Sequence, residues 1–253
     1  MKRIIYSITA FLFGAALVAT PARAQEDKPG GTNLFITYRC APADRPAFRK
    51  GLASDGIKRF DELKRSGVIA DYIILFNQFV DANTWDAQAI ITFNNYAQSQ
   101  RWREMEREYP GGLTPGLLKI GAPQTTIIAD RMFYNGSAGD RSKSIFVVIP
   151  YTYRERLSYY NYISIYGVMQ FDGWIKEGVI SNYGIYFNHH ATGAPWDVLL
   201  VFEYKGIEGL ARREVIKQKV REGLASNQSW KMLQDTKQDF RVEHEVVMSD
   251  VVQ

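Results

Sequence analysis

Cysteine is almost absent from this chain: Cys40 is the only one in 253 residues. No internal disulfide can form, so the fold must be held by its core alone. Histidine is nearly as scarce, with three residues, His189, His190 and His244. There is no H-E-x-x-H and no paired cysteine motif, so no metal site is expected. Also missing are G-x-S-x-G, a phosphate loop and a dinucleotide fingerprint, which leaves no motif that calls for a cofactor. A strong charge of one sign is lacking as well. The formal net charge is +4, but residues 1–24 carry three basic and no acidic groups, leaving 28 Lys+Arg against 27 Asp+Glu in the remainder. Such a balance gives no global attraction for phosphates, and nucleic acid is not an expected partner.

What is present begins with a secretory pattern. Lys2 and Arg3 precede an apolar run from about Ile8 to Val18, and Ala22-Arg23-Ala24 is a small-x-small cleavage site. The apolar run is shorter than the ~20 residues of a spanning helix. The expectation is a signal peptide over 1–24, a secreted or periplasmic mature chain without a stable membrane span, and a polar leader over 25–32.

The dominant feature is a duplication. Phe171 to Tyr204 matches Phe60 to Phe93 without a gap at an offset of 111, with eleven of 34 positions identical. The identities include Gly67/Gly178, Tyr72/Tyr183, Phe76/Phe187, Asn77/Asn188, Trp85/Trp196 and Asp86/Asp197. A weaker match extends back through Gly56/Gly167 and Arg45/Arg156 to Phe35/Phe146. A period above a hundred residues is a duplicated domain, since solenoid repeats are shorter. The division reads as repeat 1 over 33–134, a linker over 135–144 and repeat 2 over 145–250.

Within each copy the patterning alternates between β-branched, aromatic strands and apolar stripes at helical spacing. Phe48, Leu52, Ile57, Phe60 and Leu63 form such a stripe, ended by Gly67. The order is β-α-β-β-α-β, the ferredoxin-like unit, an α+β fold with helices on one face of an antiparallel sheet. The other face, with Ile73, Leu75, Leu199 and Val201, needs a cover, and a second copy supplies it. In element order and duplication the chain resembles the dimeric α+β barrel superfamily, here as two tandem repeats forming one intramolecular barrel. That superfamily includes antibiotic-biosynthesis monooxygenases, NIPSNAP-like proteins, stress-responsive barrel proteins and the haem-binding chlorite dismutase relatives. The resemblance implies a pocket between the two repeats and a small, partly apolar ligand, with a homo-oligomer possible. A cofactor-independent monooxygenase or isomerase acting on a small apolar or aromatic substrate is one alternative it implies; a haem protein with a histidine ligand is another.

Candidate site residues follow from strand alternation. Tyr183, Ile185 and Phe187 are expected to face the helices, leaving Tyr186, Asn188 and His190 toward the barrel. His190 and Asn188 are the catalytic candidates, as base and positioning group. Tyr186, Tyr151, Asn77, Trp196, Asp197 and Glu203 are the ligand-binding candidates, although hairpin register decides which of the last three points inward. For Trp85/Trp196 and Asp86/Asp197 the alternative is scaffold, an indole over a turn and a carboxylate capping backbone donors. Asn77 and Asn188 either brace the neighbouring strand or face the cavity. Because Leu75 and Phe79 become Tyr186 and His190, repeat 2 is expected to carry the more polar end of any cavity.

Overall fold

The computed structural model describes residues 30–253; the expected signal peptide at 1–24 lies outside them. Among the described residues there are nine strands: β1 (Gly30–Cys40), β2 (Asp71–Asn77), β3 (Ala87–Thr92), β4 (Gly121–Gly136), β5 (Ile145–Tyr153), β6 (Ile180–Asn188), β7 (Val198–Tyr204), β8 (Arg241–Glu243) and β9 (Val247–Val251). Repeat 1 has the strand order β4-β1-β3-β2 and repeat 2 the order β9-β5-β7-β6, all antiparallel. Two seams join them. Leu75 to Asn77 of β2 pairs with Ser249 to Val251 of β9, and β4 pairs with β6 from Ala129↔Asn188 to Gly136↔Asn182. The result is a closed eight-stranded barrel, in which β8 continues the line of β9 along β5. Closure leaves the sheet no free edge to template association.

Each copy lays one long helix on its sheet, broken at the same place. In repeat 1, α1 (Arg45–Gly51) and α2 (Ile57–Arg65) are joined by a π turn, Leu52–Gly56; in repeat 2, α4 (Arg156–Tyr162) and α5 (Val168–Lys176) are joined by Ile163–Gly167. The two π turns are 111 residues apart, so the wider turn was duplicated with the fold. Gly67 and Gly178 follow these helices, both at φ 72°, a left-handed conformation that glycine adopts without a Cβ clash. The second helical layers are α3 (Tyr96–Glu106) in repeat 1 and α6 (Gly206–Ala211), α7 (Arg213–Leu224) and α8 (Gln228–Asp235) in repeat 2. Among the described residues no helix is long and apolar enough to cross a membrane.

Three apolar cores result. Phe48, Leu52, Phe60, Leu63 and Trp102 fill the helix–sheet layer of repeat 1. Tyr159, Tyr162, Tyr166, Phe187, Phe202 and Trp230 fill that of repeat 2. Phe35, Leu75, Ile90, Phe146, Tyr186, Trp196, Leu199 and Val201 pack inside the barrel. Tyr183, Ile185 and Phe187 therefore face the helices and Tyr186 the interior, as alternation along β6 requires.

Four boundaries differ from the sequence expectation. Strand β1 starts at Gly30 inside the expected leader, because Phe93 donates its N–H to Thr32 O (2.9 Å) and extends the ladder. Residues 137–144 are tied to the barrel: Ser137 donates to Ser181 O (3.2 Å) and Ser144 is buried. The final strand breaks at 244–246 between β8 and β9. Finally, Phe35 lies opposite Ile90 while its counterpart opposite Val201 is Val148, so β1 and β5 correspond at an offset of 113 and Phe146 is not the partner of Phe35. A two-residue shift preserves the face, which is why both phenylalanines still point inward.

Candidate functional site

The hairpins 78–86 and 189–197 close one end of the barrel, and each is braced by its asparagine and aspartate. Asn77 Nδ2 donates to Trp85 O (3.0 Å) and its Oδ1 accepts from Phe79 N (3.0 Å). Asn188 repeats this with Trp196 O (3.0 Å) and His190 N (2.8 Å). Asp86 Oδ2 accepts from Cys40 N (2.9 Å), and Asp197 Oδ2 from Tyr153 N (2.8 Å). Arg45 adds a buried ion pair to Asp86 (3.1 Å) and donates to Asn77 O (2.6 Å), and Arg156 reaches Asn188 O (3.3 Å). Both amides and both carboxylates are thus occupied in holding the hairpin against the neighbouring strand. Asn77, Asn188 and Asp197 are scaffold in this geometry.

Bracing these hairpins sets the two tryptophans at the barrel mouth. Trp196 is buried against Phe35, ring centroids 5.6 Å apart and nearly perpendicular, and Trp85 is half-buried on the opposite side. Between them opens a cavity of about 670 Å³ lined by both repeats. That is within the range of ~300–1,000 Å³ that small-molecule sites occupy. Repeat 1 contributes neutral hydrogen-bonding groups: Thr37, Thr84, Gln88, Gln124 and Thr125. At the corresponding ladder positions repeat 2 offers Pro150, Pro195, Leu199, His244 and Glu245. Thr37 and Thr125 share a hydroxyl contact of 2.6 Å. Gln88 is 1% exposed and its Oε1 has no hydrogen-bond partner. An unpaired buried acceptor costs about 1–3 kcal/mol.

The break between β8 and β9 shapes the outer rim. Glu243 accepts from Tyr151 OH (2.9 Å), His244 Nε2 lies 3.1 Å from Thr152 Oγ1, and Glu245 takes only a long 3.4 Å contact from Asn83 Nδ2 across the mouth. Gln88, His244 and Glu245 were not singled out as site residues from the sequence. The signal for Gln88 was present: a glutamine inside the apolar run Ala87-Gln-Ala-Ile-Ile91, aligned with Leu199 in the other copy.

The remaining candidates are dispersed. His190 does not face the barrel: β6 ends at Asn188, the strand alternation stops there, and His190 is an exposed turn residue that lines, with Asn188 and Ile127, a separate cavity of about 420 Å³. Tyr151 does not close the mouth, because it shares the face of Val147 and lies in the helix–sheet layer, where burial pushes its phenol well above the usual range against the opposing pull of Arg241. Tyr186 points inward but toward the opposite end, 4.9 Å edge-on from Phe35, and lines a second cavity of about 180 Å³ with Glu203 and Arg131. Burial raises its phenol too, with Arg131 acting in the other direction. Glu203, 2% exposed, accepts from Gly139 N (2.9 Å), Ser144 Oγ (2.6 Å) and Asn182 Nδ2, so it pins the linker over that end. The expectation that repeat 2 supplies the polar end through Tyr186 and His190 is overturned: neither reaches the larger cavity, whose polar groups come from both copies.

A closed barrel of two tandem ferredoxin-like units with helices outside is the dimeric α+β barrel fold. The comparisons agree on that class. No family model and no curated protein matches the sequence. Solved structures do match in fold: a putative monooxygenase from Lactobacillus acidophilus NCFM (11% identity, TM-score 0.56, covering 88% of this chain and 94% of that one), an anthrone oxidase-like protein (11%, 0.54, 90% and 93%) and a variant chlorite dismutase from Candidatus Nitrospira defluvii (11%, 0.55, 89% and 92%).

A haem would need an axial donor facing an apolar slot. All three histidine side chains lie at the surface, and the helix–sheet layer of repeat 2 is filled by aromatic rings and holds no histidine. His244, at the mouth, turns Nε2 to Thr152. These residues do not present an axial ligand to an enclosed apolar slot.

Proposed function

We propose that this protein binds a small, partly apolar molecule in the mouth between Trp85 and Trp196. The observation that carries this reading is the cavity of about 670 Å³ at the barrel mouth, lined by both tryptophans and by neutral hydrogen-bonding side chains of repeat 1. Two indoles supply flat apolar area, and the threonine pair and Gln88 supply orientation. The signal-like pattern of residues 1–24 supports a secreted or periplasmic setting for this binding. The test is a neutral, solvatochromic dye such as Nile red. Its fluorescence should rise on binding and fall back for Trp85→Ala and for Gln88→Phe, which fills the cavity. Undiminished dye binding in both variants would place the ligand elsewhere.

A second reading, oxygen-dependent oxidation of a small aromatic substrate, draws on the fold neighbours described as a putative monooxygenase and an anthrone oxidase-like protein. Here the proton acceptor is His244 at the mouth, since His190 lies outside it. Oxygen uptake with anthrone, lost in His244→Ala, supports catalysis; no uptake leaves the binding reading alone.

A further inference from the structure

The mouth has a charge preference as well as a shape. Among the described residues its lining includes one free carboxylate, that of Glu245, and no lysine or arginine. Glu243 is already engaged by Tyr151 OH. Glu245 has only the 3.4 Å contact from the neutral Asn83 amide. The nearest guanidinium groups are committed elsewhere. Arg39 lies 3.6 Å from Asp86 and donates to Ala82 O and Thr84 O on the back of the hairpin. Arg241 sits over the Tyr151 ring, 4.2 Å from its centroid, in the helix–sheet layer. A ligand in the mouth therefore meets an uncompensated carboxylate and two indoles.

Each of these favours positive charge or an N–H. A cation over an indole is attracted by the negative face of the ring. A carboxylate at the rim adds Coulombic attraction, moderated by solvent because Glu245 is exposed. Resting on the reading of the mouth as the ligand site, we infer that its ligand is a primary or secondary amine on a flat apolar body. Carboxylic acids of the same shape are rejected.

Three probes that share a phenyl ring and a short side chain but differ in charge test this: phenethylamine, 2-phenylethanol and phenylacetate. Binding is followed by calorimetry and by the indole N–H signals of Trp85 and Trp196 in NMR. The amine should bind about tenfold more tightly than the alcohol, equivalent to about 1.4 kcal/mol. Phenylacetate should be weakest, and Glu245→Gln should shrink the amine advantage to about threefold or less. If the alcohol or the acid binds as tightly as the amine while still shifting the two indoles, the charge inference is overturned and the mouth remains the site. If none of the three probes shifts either indole, the reading of the mouth itself is overturned.

Discussion

Glu203 replaces the threonine found at the matching position of repeat 1, and its removal tests whether it serves a ligand or the linker. Three donors converge on its carboxylate: Gly139 N, Ser144 Oγ and Asn182 Nδ2. In Glu203→Ala they do not all lose equally. The Ser144 hydroxyl has one proton and a second acceptor in range, Asp140 O at 2.9 Å, so it redirects at little cost. Gly139 N has no other acceptor, and Asn182 keeps only a 3.2 Å contact to Ser137 O. Hydrogen bonds to a charged group contribute roughly 1.5–3 kcal/mol each, and both donors are half-exposed, so water replaces part of the loss. The expected destabilisation is about 3 kcal/mol for Glu203→Ala and about 1 kcal/mol for Glu203→Gln, which keeps one acceptor. Urea denaturation with linear extrapolation measures both. Proteolysis within residues 137–144 should accelerate in parallel, and affinity for ligand at the tryptophan mouth should not change. A change below 0.5 kcal/mol in Glu203→Ala, or a loss of mouth binding, would refute the account of Glu203 as a clamp on the linker.

Asn188→Ala removes one donor and one acceptor that brace the hairpin, and should cost about 1–3 kcal/mol by thermal or urea unfolding; Asn77→Ala should behave alike. His190→Ala is expected to leave stability and dye binding unchanged, since the side chain is exposed outside the barrel. Phe35→Ala should cost about 3–5 kcal/mol, because the ring is fully buried and packs edge-on against Tyr186 and Trp196. Alkaline pH should destabilise the fold: burial pushes the phenols of Tyr159 and Tyr204 up to about 12, opposed by Arg241 and Arg213 respectively. Folded-state values raised above the unfolded one mean stability that is intact below about pH 10 and lost as pH rises toward 12. Absorbance at 295 nm and far-ultraviolet circular dichroism should therefore change together across that window.

The fold was legible because duplication and alternation are both local signals. An offset of 111 aligned two strands, a helix and a hairpin at once, and period two along Tyr183 to Phe187 sorted the faces correctly. The site was less so. Alternation says which face a residue takes but not where the strand stops, and β6 ends two residues before His190. Asn188 and Asp197 carry polar groups that suit a ligand or a turn equally, and only the backbone donors of His190 and Tyr153 decide between them. Gln88 is a polar residue where the other copy has Leu199, a difference that lies in repeat 1 and not in the gains of repeat 2.

Trp85 and Trp196, Thr37 and Pro150, and Gln88 and Leu199 face one another across the barrel axis, so that axis is a broken twofold. In a barrel made from two identical chains, a molecule resting on such an axis could be flipped end for end with no change in energy. Its two poses would be equally populated, and two atoms related by the flip would meet identical surroundings. Fusing the copies removes that degeneracy. With glutamine on one side and leucine on the other, a guest in the proposed site would have one preferred heading, and the tandem chain would tell the left side of a molecule from its right.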